Sequence, residues 1–199
     1  MTASLLLASQ SPARQRLLRD AGVVFDVVKA FVDEDAVKEA LVMERATPMQ
    51  IADTLAEMKA LKGSQKSPDA FVIGADQVLA FQGKVLSKPA SLAEARSQLL
   101  SLKGQPHELI TASVLAKNGA AIWRHTARAR LKMRDFSDQF LDDYLAQMGD
   151  RVTQTVGAYE IEGLGVQLFD SIDGDIFSIQ GVPLLPLLDI LRQHGMVQS

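Results

Sequence analysis

An aspartate, Asp76, follows the apolar run Phe71-Val72-Ile73-Gly74-Ala75, and Lys88-Pro89 comes twelve residues after it. A buried strand that ends on a carboxylate, with an ammonium at the mouth of the next helix, suits metal-assisted chemistry on a phosphate. The carboxylate can serve as general base or metal ligand, and lysine is a compact point charge for phosphate oxygens. The ordinary alternatives are a carboxylate that caps a turn and a solvated surface lysine. Gln77 follows Asp76 directly and points to the opposite side if the chain stays extended.

A second candidate is Ala8-Ser9-Gln10-Ser11-Pro12-Ala13-Arg14. Ser11 fits the N-cap of a helix and Pro12 its first position, so a strand feeds straight into a helix N-terminus. The unpaired N–H groups of that first turn, with the helix dipole, form an anion site. Arg14 falls at the third helical position, where a cation opposes the dipole unless a bound polyphosphate accepts its forked guanidinium. Without such a ligand it is a capped helix carrying a solvated arginine. The cluster Asp33-Glu34-Asp35 could hold Mg²⁺ or Mn²⁺ through oxygen ligands, or be a solvated loop. Lys59 is a phosphate contact or a charge suited to a helix C-terminus.

The bulk numbers narrow the field. A chain of 199 residues that is 47% hydrophobic can bury a substantial core and fits one domain, 1–199, with room for two lobes. A net charge of −3 gives no general case for nucleic acid or membrane as partner. The absence of cysteine excludes disulfides, thiolate catalysis and Cys-ligated zinc. The apolar start, Leu5-Leu6-Leu7, is too short for a secretion signal or a membrane span, so the expected location is cytoplasmic. No G-x-x-x-x-G-K-[ST] or G-x-S-x-G occurs, which disfavours a P-loop ATPase and an α/β-hydrolase.

The elements that must position these residues follow from pattern. Strands are expected at 4–8, 23–28 and 70–75, the last leading into Asp76. Thr47-Pro48-Met49-Gln50 is a capping box whose helix should run to about Lys62 and stop at Gly63. Phe81-Gln82-Gly83-Lys84 reads as a tight turn, and Ser91-Leu92-Ala93-Glu94 as another capping box opening a helix that ends near Gly104. Residues 107–116 and 120–134 form a hairpin at Asn118-Gly119. Ser137 caps a helix to Met148. Short strands near 157–161 and 165–169 precede a final helix from about Pro183 to His194. Strands and helices interleave around at least one long hairpin, so the class is α/β with a mixed sheet. Along 120–134, Arg124, Arg128, Arg130, Lys132 and Arg134 share one face at period two. That stripe is a solvated sheet face or a nucleic-acid surface.

In this order and spacing, the chain resembles the Maf family of nucleotide pyrophosphatases. The matching segments are 7–14 with Leu17-Leu18, Asp33-Glu34, Lys59-Ala60, Gly74-Ala75-Asp76, Lys88-Pro89, Gly157-Ala158-Tyr159 with Glu162-Gly163, and Gly181-Val182-Pro183-Leu184. The resemblance implies an elongated α/β fold related to inosine triphosphatase, with a mixed sheet flanked by helices and a deep cleft between two lobes. It implies metal-aided hydrolysis of a nucleoside triphosphate to monophosphate and pyrophosphate, with Mg²⁺, Mn²⁺ or Co²⁺ as cofactor. Carried over, Asp76 is the proton acceptor. Ser9, Ser11, Arg14, Lys59 and Lys88 hold the substrate, and Glu34 with Asp76 holds the metal. Ala13, Gln77 and Glu162 stand where the family sets base choice. Glutamine and glutamate there resemble the branch acting on 7-methyl-GTP rather than the branch acting on dTTP and UTP. A carboxylate can accept hydrogen bonds from guanine N1–H and its exocyclic amine, and favours a cationic methylated base. The alternatives are a dTTP/UTP pyrophosphatase of the same family and a nucleotide-binding regulator of cell division or septum formation with little catalysis, and the expected partner is a second copy in a homodimer.

Overall fold

Three consecutive leucines, Leu5–Leu7, form β1, the second strand of a sheet. The computed structural model describes residues 4–198; Met1, Thr2, Ala3 and Ser199, the ends of the expected domain, lie outside the described residues. After β1 the order is α1 (Pro12–Asp20), β2 (Asp26–Val27), α2 (Glu34–Met43), α3 (Pro48–Lys66), β3 (Phe71–Phe81), β4 (Lys84–Leu86) and α4 (Leu92–Leu102). The long hairpin β5 (Pro106–Lys117) and β6 (Ala120–Met133) follows, then α5 (Asp138–Met148), three short 3₁₀ turns within 149–168, β7 (Phe169–Asp173), α6 (Ile176–Ile179) and α7 (Leu184–Gln193). The sheet has the order β2-β1-β3-β5-β6-β7, with β4 against β3. β1 is parallel to β2 and β3, with Leu7 opposite both Val27 and Ile73. β3–β4 and β6–β7 are antiparallel, so the sheet is mixed as the interleaved pattern predicts. No helix of the described residues is long and apolar enough to cross a membrane.

The chain divides into two compact units: Met1–Gln77, Thr111–Ala127 and Asp175–Ser199 form the first, and Val78–Ile110 with Arg128–Gly174 the second. The core of the first unit joins Leu5 and Leu7 to Leu17, Leu18, Ile73, Leu115, Leu187 and Leu191. Truncating any of the fully buried leucines to alanine would cost about 2–5 kcal/mol. In the second unit Leu99, Leu102, Phe136, Leu141 and Tyr144 are buried.

Several expectations need correction. Asp76 does not end its strand: β3 continues to Phe81, because Val78, Leu79 and Phe81 stay buried and β4 pairs with its last three residues. The helix over 47–62 does not stop at Gly63 but runs to Lys66. Gly63 faces inward, where a Cβ would lie 2.7 Å from Val72, so it serves close packing rather than termination. The strand expected over 23–28 shrinks to Asp26–Val27, since this edge strand has only three-residue β1 to pair with.

No strand occupies 157–161, and the one expected over 165–169 begins only at Phe169, as β7. Gly157 (φ +78°) and Ala158 (φ +61°) put consecutive left-handed residues in the first of these stretches. Helices α2 and α6 were missed. The acidic cluster is no loop: Asp33 caps α2, accepting from Ala36 N at 3.1 Å, and Glu34 and Asp35 sit in its first turn, where negative charge suits the dipole.

The β6 bases do share the exposed face, and several meet carboxylates. Arg124 bridges Asp53 and Glu57 of α3 at 2.8 Å each, Arg128 faces Glu108 at 3.7 Å, and Lys132 faces Asp170 at 3.9 Å.

Candidate active site

The first turn of α1 is built as its sequence implies. Ser11 caps the helix and its Oγ accepts from Arg14 N at 3.4 Å, with Pro12 at the first position. Ser9, buried, turns its Oγ to accept from Ser11 N at 3.3 Å and from Arg14 Nη1 at 3.2 Å. Arg14 is half-buried and bonded into the fold rather than a free surface arginine. Its Nη1 also donates to Ala75 O at 3.0 Å and its Nε to Gly181 O at 2.9 Å. Burial pulls its pKa below the usual guanidinium value, while the nearby charges of Asp76 and, less strongly, Glu34 oppose that shift. An arginine so far from titration stays charged, so a fixed cation stands beside Asp76.

Close packing of α3 on β3 brings the next group together. Small residues Ala52, Ala56, Ala60 and Gly63 lie on the buried side of α3. Gly74 on β3 meets that side so tightly that a Cβ would stand 2.2 Å from Ala56 O and 2.5 Å from Ala60 N. Lys59, one residue before Ala60, is thereby buried against Asp76: Nζ lies 2.7 Å from Asp76 Oδ1 and 2.8 Å from Glu34 Oε1. The other oxygen, Asp76 Oδ2, is buried and has no hydrogen-bond partner among the described residues. A buried polar oxygen without a partner is costly and calls for an explanation, such as a bound ligand or ion.

Gln77 points the other way along the extended strand and is held firmly. Its Nε2 donates to Thr111 Oγ1 at 2.8 Å, Ile179 O at 3.0 Å and Ser178 O at 3.1 Å.

The first unit therefore gathers Ser9, Ser11, Arg14, Glu34, Lys59 and Asp76, with Ala13 in the first turn of α1 and Gln77 next to the acid. Lys88, exposed on the loop between β4 and α4, and Glu162, exposed in the turn after Tyr159, belong to the second unit. Sequence reasoning missed the carbonyls of Ala75 and Gly181 that seat Arg14, and the Thr111 hydroxyl that seats Gln77. Backbone acceptors carry no residue signature, although the Gly181-Val182-Pro183 run is distinctive.

The residues present fit a hard divalent cation. Two carboxylates, Glu34 and Asp76, share one ammonium, and one Asp76 oxygen is unused. Among the described residues no cluster of three or more carboxylates or imidazoles supplies a full cage. One or two carboxylates completed by substrate phosphate and water is the usual arrangement for Mg²⁺.

Residues 4–194 match the family of Maf-like proteins. A nucleoside triphosphate pyrophosphatase of Caulobacter vibrioides is 53% identical over 189 residues, covering 95% of this chain and 94% of that protein. One from Rhodospirillum rubrum is 51% identical, covering 98% and 96%. A 7-methyl-GTP pyrophosphatase of Brucella abortus is 46% identical over the full length of both chains. Among solved structures, a HAM1 protein from Coxiella burnetii overlaps 67% of this chain and 74% of that one, at 16% identity and a TM-score of 0.41, too distant to bear on the argument.

Proposed function

The chain belongs to the Maf family, and on that footing we propose that it is a hydrolase that cleaves nucleoside triphosphates to the monophosphate and pyrophosphate. The observation that carries this reading is Asp76: one oxygen anchored on Lys59, the other buried and bare, beside a charged and immobilised Arg14.

In this reading Asp76 Oδ2 accepts a proton from a water whose oxygen attacks the α-phosphorus. The bond from the α-phosphorus to the bridging oxygen breaks, and pyrophosphate departs with that oxygen. Lys59 fixes the carboxylate through Oδ1. Two of its three N–H groups are spent on Asp76 and Glu34, and the third is left for a phosphate oxygen. Arg14 Nη2 and the N–H groups opening α1, framed by Ser9 and Ser11, stabilise charge that builds on the leaving group. Lys88 enters as a further phosphate contact on the family pattern alone. A divalent cation, Mg²⁺, Mn²⁺ or Co²⁺, would be held by Glu34 and Asp76 and would supply neutralisation of phosphate charge.

The finer reading is a guanine-type substrate such as 7-methyl-GTP. It is supported by Ala13, Gln77 and Glu162 at the positions of base choice, and by the name of the full-length Brucella relative. The deciding experiment incubates the protein with a panel of ordinary and methylated nucleoside triphosphates, with each metal and with chelator, and measures monophosphate and pyrophosphate. Paired release of both products, lost on chelation, is expected. Nucleotide binding without release would reject the enzyme in favour of a regulator, and dTTP or UTP as best substrate would reject the guanine assignment.

A further inference from the structure

Two site residues are seated on the same turn. Gln77 Nε2 donates to Ser178 O at 3.1 Å and Ile179 O at 3.0 Å, and Arg14 Nε donates to Gly181 O at 2.9 Å. Thr111 reinforces the first seat: its Oγ accepts from Gln77 Nε2 and donates to Ser178 O, both at 2.8 Å. The turn is itself held at its start, where Asp175 accepts from Ser178 N at 2.8 Å and from Ser178 Oγ at 2.6 Å.

We infer that the turn Ser178–Gly181 is a positioning element for the proposed pyrophosphatase site, acting on Arg14 through Gly181 and on Gln77 through Thr111. The inference rests on that reading of the site.

Consider Gly181 first. Its φ of +106° is open to glycine and strained for other residues, and a Cβ there would stand 2.9 Å from Arg14 Nε and 3.2 Å from Arg14 Cγ. The atoms in the way belong to the Arg14 side chain, so a methyl group there pushes the guanidinium off its seat. Glycine lets this carbonyl accept from Nε with no Cβ pressed against the Arg14 side chain. At Gln77 the three acceptors around Nε2 outnumber its two hydrogens, which fixes the direction of the amide. Its oxygen then has one orientation and offers only acceptance. A ligand edge that donates is favoured over one that presents an acceptor.

Both arms can be read by binding, without turnover. Calorimetry with inorganic tripolyphosphate tests the Arg14 arm. Gly181→Ala should weaken binding by about tenfold to a hundredfold, the scale of a charge-assisted hydrogen bond. In an Arg14→Ala background the same substitution should have no further effect. Independent, multiplicative losses would overturn the inference, as would wild-type protein that fails to bind tripolyphosphate.

The Gln77 arm uses guanine and uracil monophosphates. Thr111→Val should change their affinity ratio by about threefold or more, on the order of one hydrogen bond, while Thr111→Ser keeps it and Gln77→Ala abolishes the effect. Should Gly181→Ala not fold, this arm decides, and an unchanged ratio in Thr111→Val overturns the inference. Coupled binding losses in a protein that hydrolyses no nucleotide would sink the enzymatic reading and support the positioning role.

Discussion

Asp76 has two oxygens in different circumstances, and that asymmetry is the site's main chemical content. Oδ1 is tied to Lys59, and Oδ2 is buried with nothing to bond. Lys59→Met would strand a carboxylate that is 3% exposed, and breaking a buried pair costs about 3–5 kcal/mol. Urea unfolding should register a loss of that size, and adding Asp76→Asn should recover part of it. No recovery would mean that Lys59 stabilises through packing alone.

His107 gives a second test at this scale, in the other unit. Its Nε2 lies 2.8 Å from Tyr159 Oη, its Nδ1 has no partner, and burial lowers its pKa from 6.5 to about 4. Between those values the unfolded chain binds more protons than the folded one. Stability from this residue is therefore complete above about pH 6.5 and is lost as the pH falls toward 4, by at most about 3 kcal/mol. Unfolding curves at about pH 7 and pH 5 should show this slope in the wild type and a flatter one in His107→Gln; equal slopes would contradict the assignment.

At the scale of elements, α3 and β3 decide whether Lys59 can reach Asp76. The clash partners of a Cβ at Gly74 are backbone atoms of α3, so the helix would have to move. Gly74→Ala should cost about 1–3 kcal/mol or somewhat more through overpacking. It should also lower kcat at temperatures where the protein is folded, since Lys59 moves off the carboxylate. Calorimetric unfolding and steady-state kinetics check both, and a variant with unchanged Tm and kcat would show that the close approach is dispensable.

Much of this was legible in sequence. Caps at Ser11, Thr47, Ser91 and Ser137 and the Asn118-Gly119 turn are local chemistry and stand where expected. The misses are tertiary. Gly63 resembles a helix stop until Val72 is seen against it, and Asp76 resembles a strand end until β4 is seen to pair beyond it. Helix α2 had a readable start in Asp33-Glu34-Asp35, which was weighed only as a metal cluster or loop. The left-handed pair Gly157-Ala158 left no alternation to betray it.

At the scale of the whole molecule, the first unit contains the carboxylate, Lys59 and the arginine, and the second contains Lys88 and Glu162. The candidate site residues are singled out by types and order that match a family; composition and charge alone only narrow the class. What sequence could not supply is the set of backbone carbonyls, at Ala75, Ser178, Ile179 and Gly181, that orient Arg14 and Gln77. Glu162→Gln should lower the kcat/KM ratio of guanine-type over uracil- or thymine-type triphosphates by about tenfold, the scale of one charge-assisted hydrogen bond. An unchanged ranking would remove Glu162 from base recognition.

The most direct measurement follows monophosphate and pyrophosphate release by the wild type and by Asp76→Asn, with folding checked by circular dichroism. Paired products are expected from the wild type and a loss of at least about a hundredfold in kcat from the variant, the scale of general-base catalysis, with the fold intact. A folded Asp76→Asn protein that releases pyrophosphate at close to the wild-type rate would contradict that role for Asp76.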